Sequence, residues 1–199
     1  LTGRYQQRFG HEANTPPPDQ GMDLNQQTMA DALKNRGYRT GLVGKWHLGE
    51  GKEHEPAGFD YWSILPGQGD YFDPHMIEMG VEHELRGYTT DLITEQCINW
   101  LEKTDKNKPF FLMCHHKAPH REWEPHPKNR KLFKEDVAMP STFDDDYKNR
   151  AKAAAEAKMR IKDDITYDDL GLVQPEGGSE IGERSRLKSS KRKIRNPSN

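Results

Sequence analysis

The chain has 199 residues, 32% hydrophobic and 31% charged, with a formal net charge of −2 and a mean hydropathy of −1.08. A near-neutral balance excludes whole-domain electrostatic attraction to nucleic acid or to an anionic membrane, and no apolar run approaches the length of a transmembrane helix. Little apolar surface is left for a self-sufficient core in a domain of ordinary size.

Residue 1 is Leu rather than Met, and Leu1 to Tyr5 already read as the middle of a motif, so an interior piece of a longer protein is expected. Residues 6–23 are polar, with Pro16, Pro17 and Pro18, and predict an exposed loop. Asn25 is placed to cap a helix over about 26–36 with Met29, Ala32 and Leu33 on one face, and Gly37 stops it as a left-handed residue. A buried strand over 39–43 follows. Residues 49–87 are rich in Gly and Pro, with short strands expected near 59–64 and 76–79. Thr90 then caps a helix over about 91–103, in which Leu92, Ile93, Cys97, Trp100 and Leu101 form an apolar stripe.

The run 109–114 is apolar at every position, as in a strand covered on both faces of a parallel sheet. Two helix-then-strand units predict a doubly wound α/β layer, in which ligands bind beyond the carboxyl ends of the strands. Both basic clusters, Lys45 with His47 and His115 to His120, fall just past such ends. Further on, Asp144, Asp145 and Asp146 precede an alanine- and lysine-rich helix expected over about 147–161, and are read as capping and solvated-loop residues. The basic tail at 184–195 reads as a solvated linker.

The stretch from Gly37 to Gly49 carries the most chemistry. Alternation in an extended loop points Lys45 and His47 the same way, with Trp46 opposite. An ammonium beside an imidazole suits a site that holds an oxyanion and moves protons around it. Cys97 and Cys114 both have apolar neighbours and are expected as buried free thiols, with a mutual disulfide left open. Neither stands in a Cys/Ser-x-Pro/Ala-x-Arg context.

The stretch Gly37–Gly49, with its Gly-Lys-Trp-His, closely resembles the second signature of the sulfatase family. Leu1-Thr2-Gly3-Arg4-Tyr5 resembles the tail of the first signature, and Lys108-Pro109-Phe110-Phe111-Leu112 leading to Ala118-Pro119-His120 resembles the family's strand and active-site histidine. The resemblance implies an alkaline-phosphatase-like three-layer α/β sandwich with a mostly parallel sheet, incomplete in this chain. Residues 1–145 would be part of the catalytic domain, and 146–199 a helical and basic linker segment. It implies hydrolysis of sulfate esters with calcium and formylglycine. Lys45 and His47 would contact the sulfate and the formylglycine hydrate, and His120 the sulfate.

One of His115 and His116 is expected in the substrate pocket and the other packed or exposed, and Arg121 and Trp123 are candidates for a sugar subsite. No metal ligand is assigned, because the family's acidic pairs come from before the first signature and far downstream. Leu65 to Tyr71 and the loop His115 to Arg121 resemble bacterial sulfatases of glycans, including N-acetylglucosamine-6-sulfatase-like members, so a sulfated carbohydrate and a periplasmic or secreted protein are expected. The alternatives are a phosphate or phosphonate ester hydrolase of the same superfamily, or a non-catalytic glycan-binding homologue. Alone, the chain is expected to be inactive and to fold poorly.

Overall fold

The computed structural model describes residues 1–8, 21–49, 51–158, 160–161, 163–170 and 172–173. The expected loop over 6–23 therefore lies outside the described residues from 9 to 20, as does the basic tail at 184–195.

Thr28 starts the first helix, α1 (Met29–Lys34): its side chain accepts from the Asp31 N–H while the Asp31 carboxylate accepts from the Thr28 N–H. This reciprocal capping box places the start three residues past the expected cap at Asn25. The helix ends as the sequence predicts. Gly37 has φ +85, and paired bonds from Tyr38 N–H to the Leu33 carbonyl (3.1 Å) and from Gly37 N–H to the Lys34 carbonyl (2.9 Å) close the last turn.

Strands follow at Arg39–Lys45 (β1), Tyr61–Leu65 (β2), His75–Glu78 (β3) and Val81–Glu84 (β4). A helix at Thr89–Lys103 (α2) then leads to the strand Phe110–His115 (β5). Among the described residues they form one mixed sheet in the order β4-β3-β2-β1-β5. β1 pairs in parallel with β2 and β5, while β3 and β4 turn back antiparallel. β4 escapes sequence reading because all four of its residues are exposed, which leaves no apolar alternation to find.

β1 is central and buried on both faces. Leu42 packs with Trp62, Ile64 and Ala30 of α1, whereas Val43 packs with Leu65, Met76 and with Ile93 and Cys97 of α2. One helix thus covers each face of the sheet, giving the three layers expected. Cys97 is buried and both thiols are free, but Cys114 is exposed, contrary to expectation, because β5 is the edge strand of the described sheet. Burial, then the adjacent Cys114 thiol, pushes the Cys97 thiol up to about 12, so it is no nucleophile near neutrality.

The chain divides into two compact units, Leu1–Pro119 with the sheet and His120–Asn199. In the second unit the expected helix shrinks to Lys152–Glu156 (α3), whose N-cap Ala151 makes no side-chain bond. Tyr147 and Asn149 have φ of 56 and 60, which breaks the helical path before it starts. The acidic run therefore caps no helix. Asp145 and Asp146 accept from the N–H groups of Tyr147 and Lys148 and pair with Arg150 and Lys148, as loop residues do. Among the described residues, no helix is long and apolar enough to cross a membrane.

Among the described glycines the closest approach is at Gly44, which has φ +106 and whose hypothetical Cβ falls 1.9 Å from the His115 carbonyl oxygen. Gly44→Ala is expected to lower unfolding free energy by about 2–5 kcal/mol, the sum of left-handed strain and overpacking. Gly37→Ala, also left-handed but with nothing within 4 Å, should cost only about 1–2 kcal/mol. Urea unfolding followed by tryptophan fluorescence checks the difference.

Candidate functional site

β1 carries its apolar residues through the sheet and ends on Lys45, the first charged residue after Arg39 at the strand's start. At this end Gly44 pairs with His115 across the β1–β5 ladder. The His115 ring lies against the Lys45 carbonyl oxygen with its Nδ1 at 3.1 Å. A carbonyl can only accept, so Nδ1 carries the proton, and His115 anchors the backbone from which Lys45 projects.

The Lys45 ammonium donates to the side-chain oxygen of Gln68, in the turn after β2. Lys117, just past β5, donates to the main-chain oxygen of the same Gln68 at 3.2 Å. Its Nζ sits 4.7 Å from the Tyr71 ring centroid, and the residue is only 7% exposed. Two lysines thus converge on one glutamine at the carboxyl ends of three neighbouring parallel strands, where open α/β sheets bind ligands. Burial, then the charge of Lys117, holds the Lys45 ammonium below its ordinary value of 10.5.

His47 does not follow the expected alternation. It has φ 54, a left-handed conformation in which histidine is enriched among non-glycine residues. Trp46 turns inward as expected, buried with its Nε1 donating to the His54 carbonyl at 2.8 Å. His47 then lines, together with Trp46, His54, Trp62, His75 and Glu82, a cleft of about 460 Å³; Lys45 is not on its wall. The buried His54 ring braces this region. Its Nε2 accepts from Gly21 N–H at 3.2 Å and its Nδ1 meets the Met22 carbonyl at 3.3 Å, which fixes the neutral Nδ1–H tautomer.

Of the remaining candidates, His116 places Nε2 3.5 Å from Cys114 Sγ, and its buried Nδ1 has no hydrogen-bond partner among the described residues. His120, Arg121 and Trp123 open the second unit. The His120 ring contacts the Arg121 carbonyl. The Arg121 guanidinium pairs with the buried Asp169, whose carbonyl accepts from Trp123 N–H at 2.9 Å. Gln68 and Lys117 were absent from the sequence-derived candidates. Lys117 had a legible signal, a cation directly past the end of an apolar strand; Gln68 lies in the stretch Leu65 to Tyr71, but nothing in it pointed to that residue.

The resemblance implies calcium and formylglycine, and the described residues fit neither. Calcium requires a shell of hard oxygen ligands, whereas no group of three or more His, Cys, Asp or Glu among the described residues is arranged to hold a metal. The acids at 145 and 146 are engaged by Arg150 and Lys148. Neither cysteine stands in the sequence context for conversion to formylglycine.

Because the folded Lys45 loses its proton below 10.5, the unfolded chain binds more protons in that window, and stability rises with pH there. Lys117→Met should move the Lys45 titration upward without restoring 10.5, since burial remains. A pH titration of the lysine Cε resonances by NMR checks this; an unmoved or lowered midpoint contradicts it.

The sulfatase family profile matches residues 1–169. The chain is 44% identical over 181 residues to the N-acetylglucosamine-6-O-sulfatase of Bacteroides thetaiotaomicron, covering 88% of this chain and 31% of that protein. It is 30% identical over 109 residues to the human N-acetylglucosamine-6-sulfatase, covering 49% of this chain and 20% of that protein. A protein solved in complex with its substrate D-glucosamine-2-N,6-O-disulfate superposes with a TM-score of 0.73 at 42% identity, over 95% of this chain and 36% of that one. The chain thus spans about a third or less of the length of these relatives. With one helix on each face of a mixed sheet and a charged cluster at the strand ends, it belongs to the sulfatase family and has the alkaline-phosphatase-like α/β fold.

Proposed function

We propose that this chain forms part of the catalytic domain of a sulfuric ester hydrolase that removes sulfate from a glucosamine-containing glycan. The observation that carries the reading is the convergence of Lys45 and Lys117 on Gln68 at the strand ends. Likeness to an N-acetylglucosamine-6-O-sulfatase, and to a protein bound to a disulfated glucosamine, supports the choice of sugar.

Breaking a sulfate ester concentrates charge on the non-bridging oxygens and on the departing alkoxide. The Lys45 ammonium, fixed by its bond to Gln68, neutralises the non-bridging oxygens where a preorganised donor contributes most. His47, on the cleft wall, exchanges protons with the attacking group. The resemblance alone gives His120 its role, an imidazole for the sulfate or a proton for the leaving oxygen. Calcium and a formylglycine nucleophile belong to this reading, held by residues other than those described.

The test is turnover by the full-length protein carrying this chain, on 6-O-sulfated N-acetylglucosamine and on its 6-phosphate analogue. The sulfate ester should be hydrolysed faster, Lys45→Ala should lower kcat by about 10²–10³-fold, and His47→Ala by about 10²–10⁴-fold. A preference for the phosphate ester, or a Lys45→Ala protein working at the wild-type rate, would overturn the reading.

A further inference from the structure

Two thiols lie together between α2 and the sheet with an imidazole beside them, and none of the three has a part in the proposed hydrolysis. Strand register brings them together. Val43 of β1 pairs with Cys114 of β5, and Val43 shares an apolar cluster with Cys97 of α2. Leu112 packs against the same cluster, and alternation along β5 turns Cys114 to the face of Leu112. The two thiols accordingly come within hydrogen-bond contact of each other.

The two cysteines are not equivalent. Cys97 is buried and Cys114 is exposed. Burial, then the neighbouring thiol, pushes Cys97 up to about 12, which leaves it a poor nucleophile. Cys114 is open to solvent and has His116 Nε2 3.5 Å from its sulfur. Among the described residues nothing bonds the buried Nδ1 of that ring, so no other hydrogen bond fixes the tautomer and Nε2 is open to take the thiol proton. An accessible thiol with a base beside it can attack a disulfide, and a second thiol in contact can then displace what was captured.

We propose that Cys114, Cys97 and His116 form a thiol–disulfide exchange site that takes a low-molecular-weight disulfide and closes to a Cys97–Cys114 bond. In the first step the Cys114 thiol gives its proton to His116 and its sulfur attacks one sulfur of the small disulfide. The small S–S bond breaks, and one thiolate leaves with the proton from the imidazolium. In the second step Cys97 loses its proton and its sulfur attacks Cys114 Sγ. The mixed disulfide breaks, and the second small thiolate leaves with that proton. The protein dithiol is thus oxidised by two electrons and the small disulfide is reduced to two thiols. Contact between the two sulfurs offsets the scarcity of the Cys97 thiolate. The new bond pins α2 to β5, the strand paired with β1 up to the residue before Lys45. This site is independent of the sulfatase reading.

The experiment uses the full-length protein carrying this chain, reduced and then incubated with oxidised glutathione near neutral pH, as wild type, Cys97→Ala, Cys114→Ala and His116→Gln. Mass spectrometry of quenched, digested samples follows the thiols. The wild type should show a glutathione adduct on Cys114 first, then a peptide pair linked through Cys97 and Cys114. Cys97→Ala should stop at the Cys114 adduct, Cys114→Ala should form no adduct on Cys97, and His116→Gln should form the Cys114 adduct at least about tenfold more slowly. Cys114 is exposed, so Cys114→Ala remains informative if Cys97→Ala fails to fold. The linked protein should unfold at a higher urea concentration than the reduced one. A wild type whose two thiols stay free, or whose Cys114 adduct never gives the linked pair, would overturn the inference. So would an adduct forming first on Cys97, or a His116→Gln protein reacting at the wild-type rate.

Discussion

The contact of β1 with β5 at Gly44 governs the rest of the site. The backbones approach so closely that a Cβ at Gly44 would lie 1.9 Å from the His115 carbonyl oxygen. That approach brings the His115 ring onto the Lys45 carbonyl and sets the end of β1 beside the segment that delivers Lys117. Parallel pairing of β1 with β2 on its other side brings the turn of Gln68 into reach of both lysines. The charged cluster is thus a consequence of strand register. It does not depend on a flexible loop finding its place.

Burial makes that register firm. β1 is closed in on both faces, by Leu42 in one apolar cluster and by Val43 in the other. A one-residue slip would exchange the two faces and bury Lys45. The apolar residues therefore do electrostatic work: they leave one position at the strand's end for a cation, in partly dehydrated surroundings. The lowered Lys45 titration follows from the same enclosure, burial first and the Lys117 charge second. Like charges held together in such a place favour an anion more than either does alone.

Much of this was legible in the residues. β1 and β5 read correctly because a continuous apolar run means cover on two faces, and α2 because its stripe recurs at helical spacing. The helical stop at Gly37 also read correctly, since its left-handed turn suits glycine. The start of α1 was misplaced although its signal was present: Thr28 and Asp31, three residues apart, form the box that Asn25 lacks. β4 and the shortened α3 were hidden for opposite reasons. The first is wholly exposed, and the second has a composition that favours helix but left-handed residues at 147 and 149 that interrupt it. The backbone of His47 could not be read, because alternation presumes an extended chain and φ 54 ends it. Gln68 was not singled out within the stretch Leu65 to Tyr71, because its contacts with Lys45 and Lys117 come from a fold-level meeting of three strand ends.

The most direct test of the central claim, that strand register presents Lys45 to a tetrahedral anion at the end of β1, is a crystal structure of the full-length protein with inorganic sulfate bound. The account predicts sulfate oxygens within hydrogen-bond distance of Lys45 Nζ, beside the turn that carries Gln68. Sulfate bound away from this end of the sheet, or a Lys45 ammonium directed away from the bound ion, would contradict it.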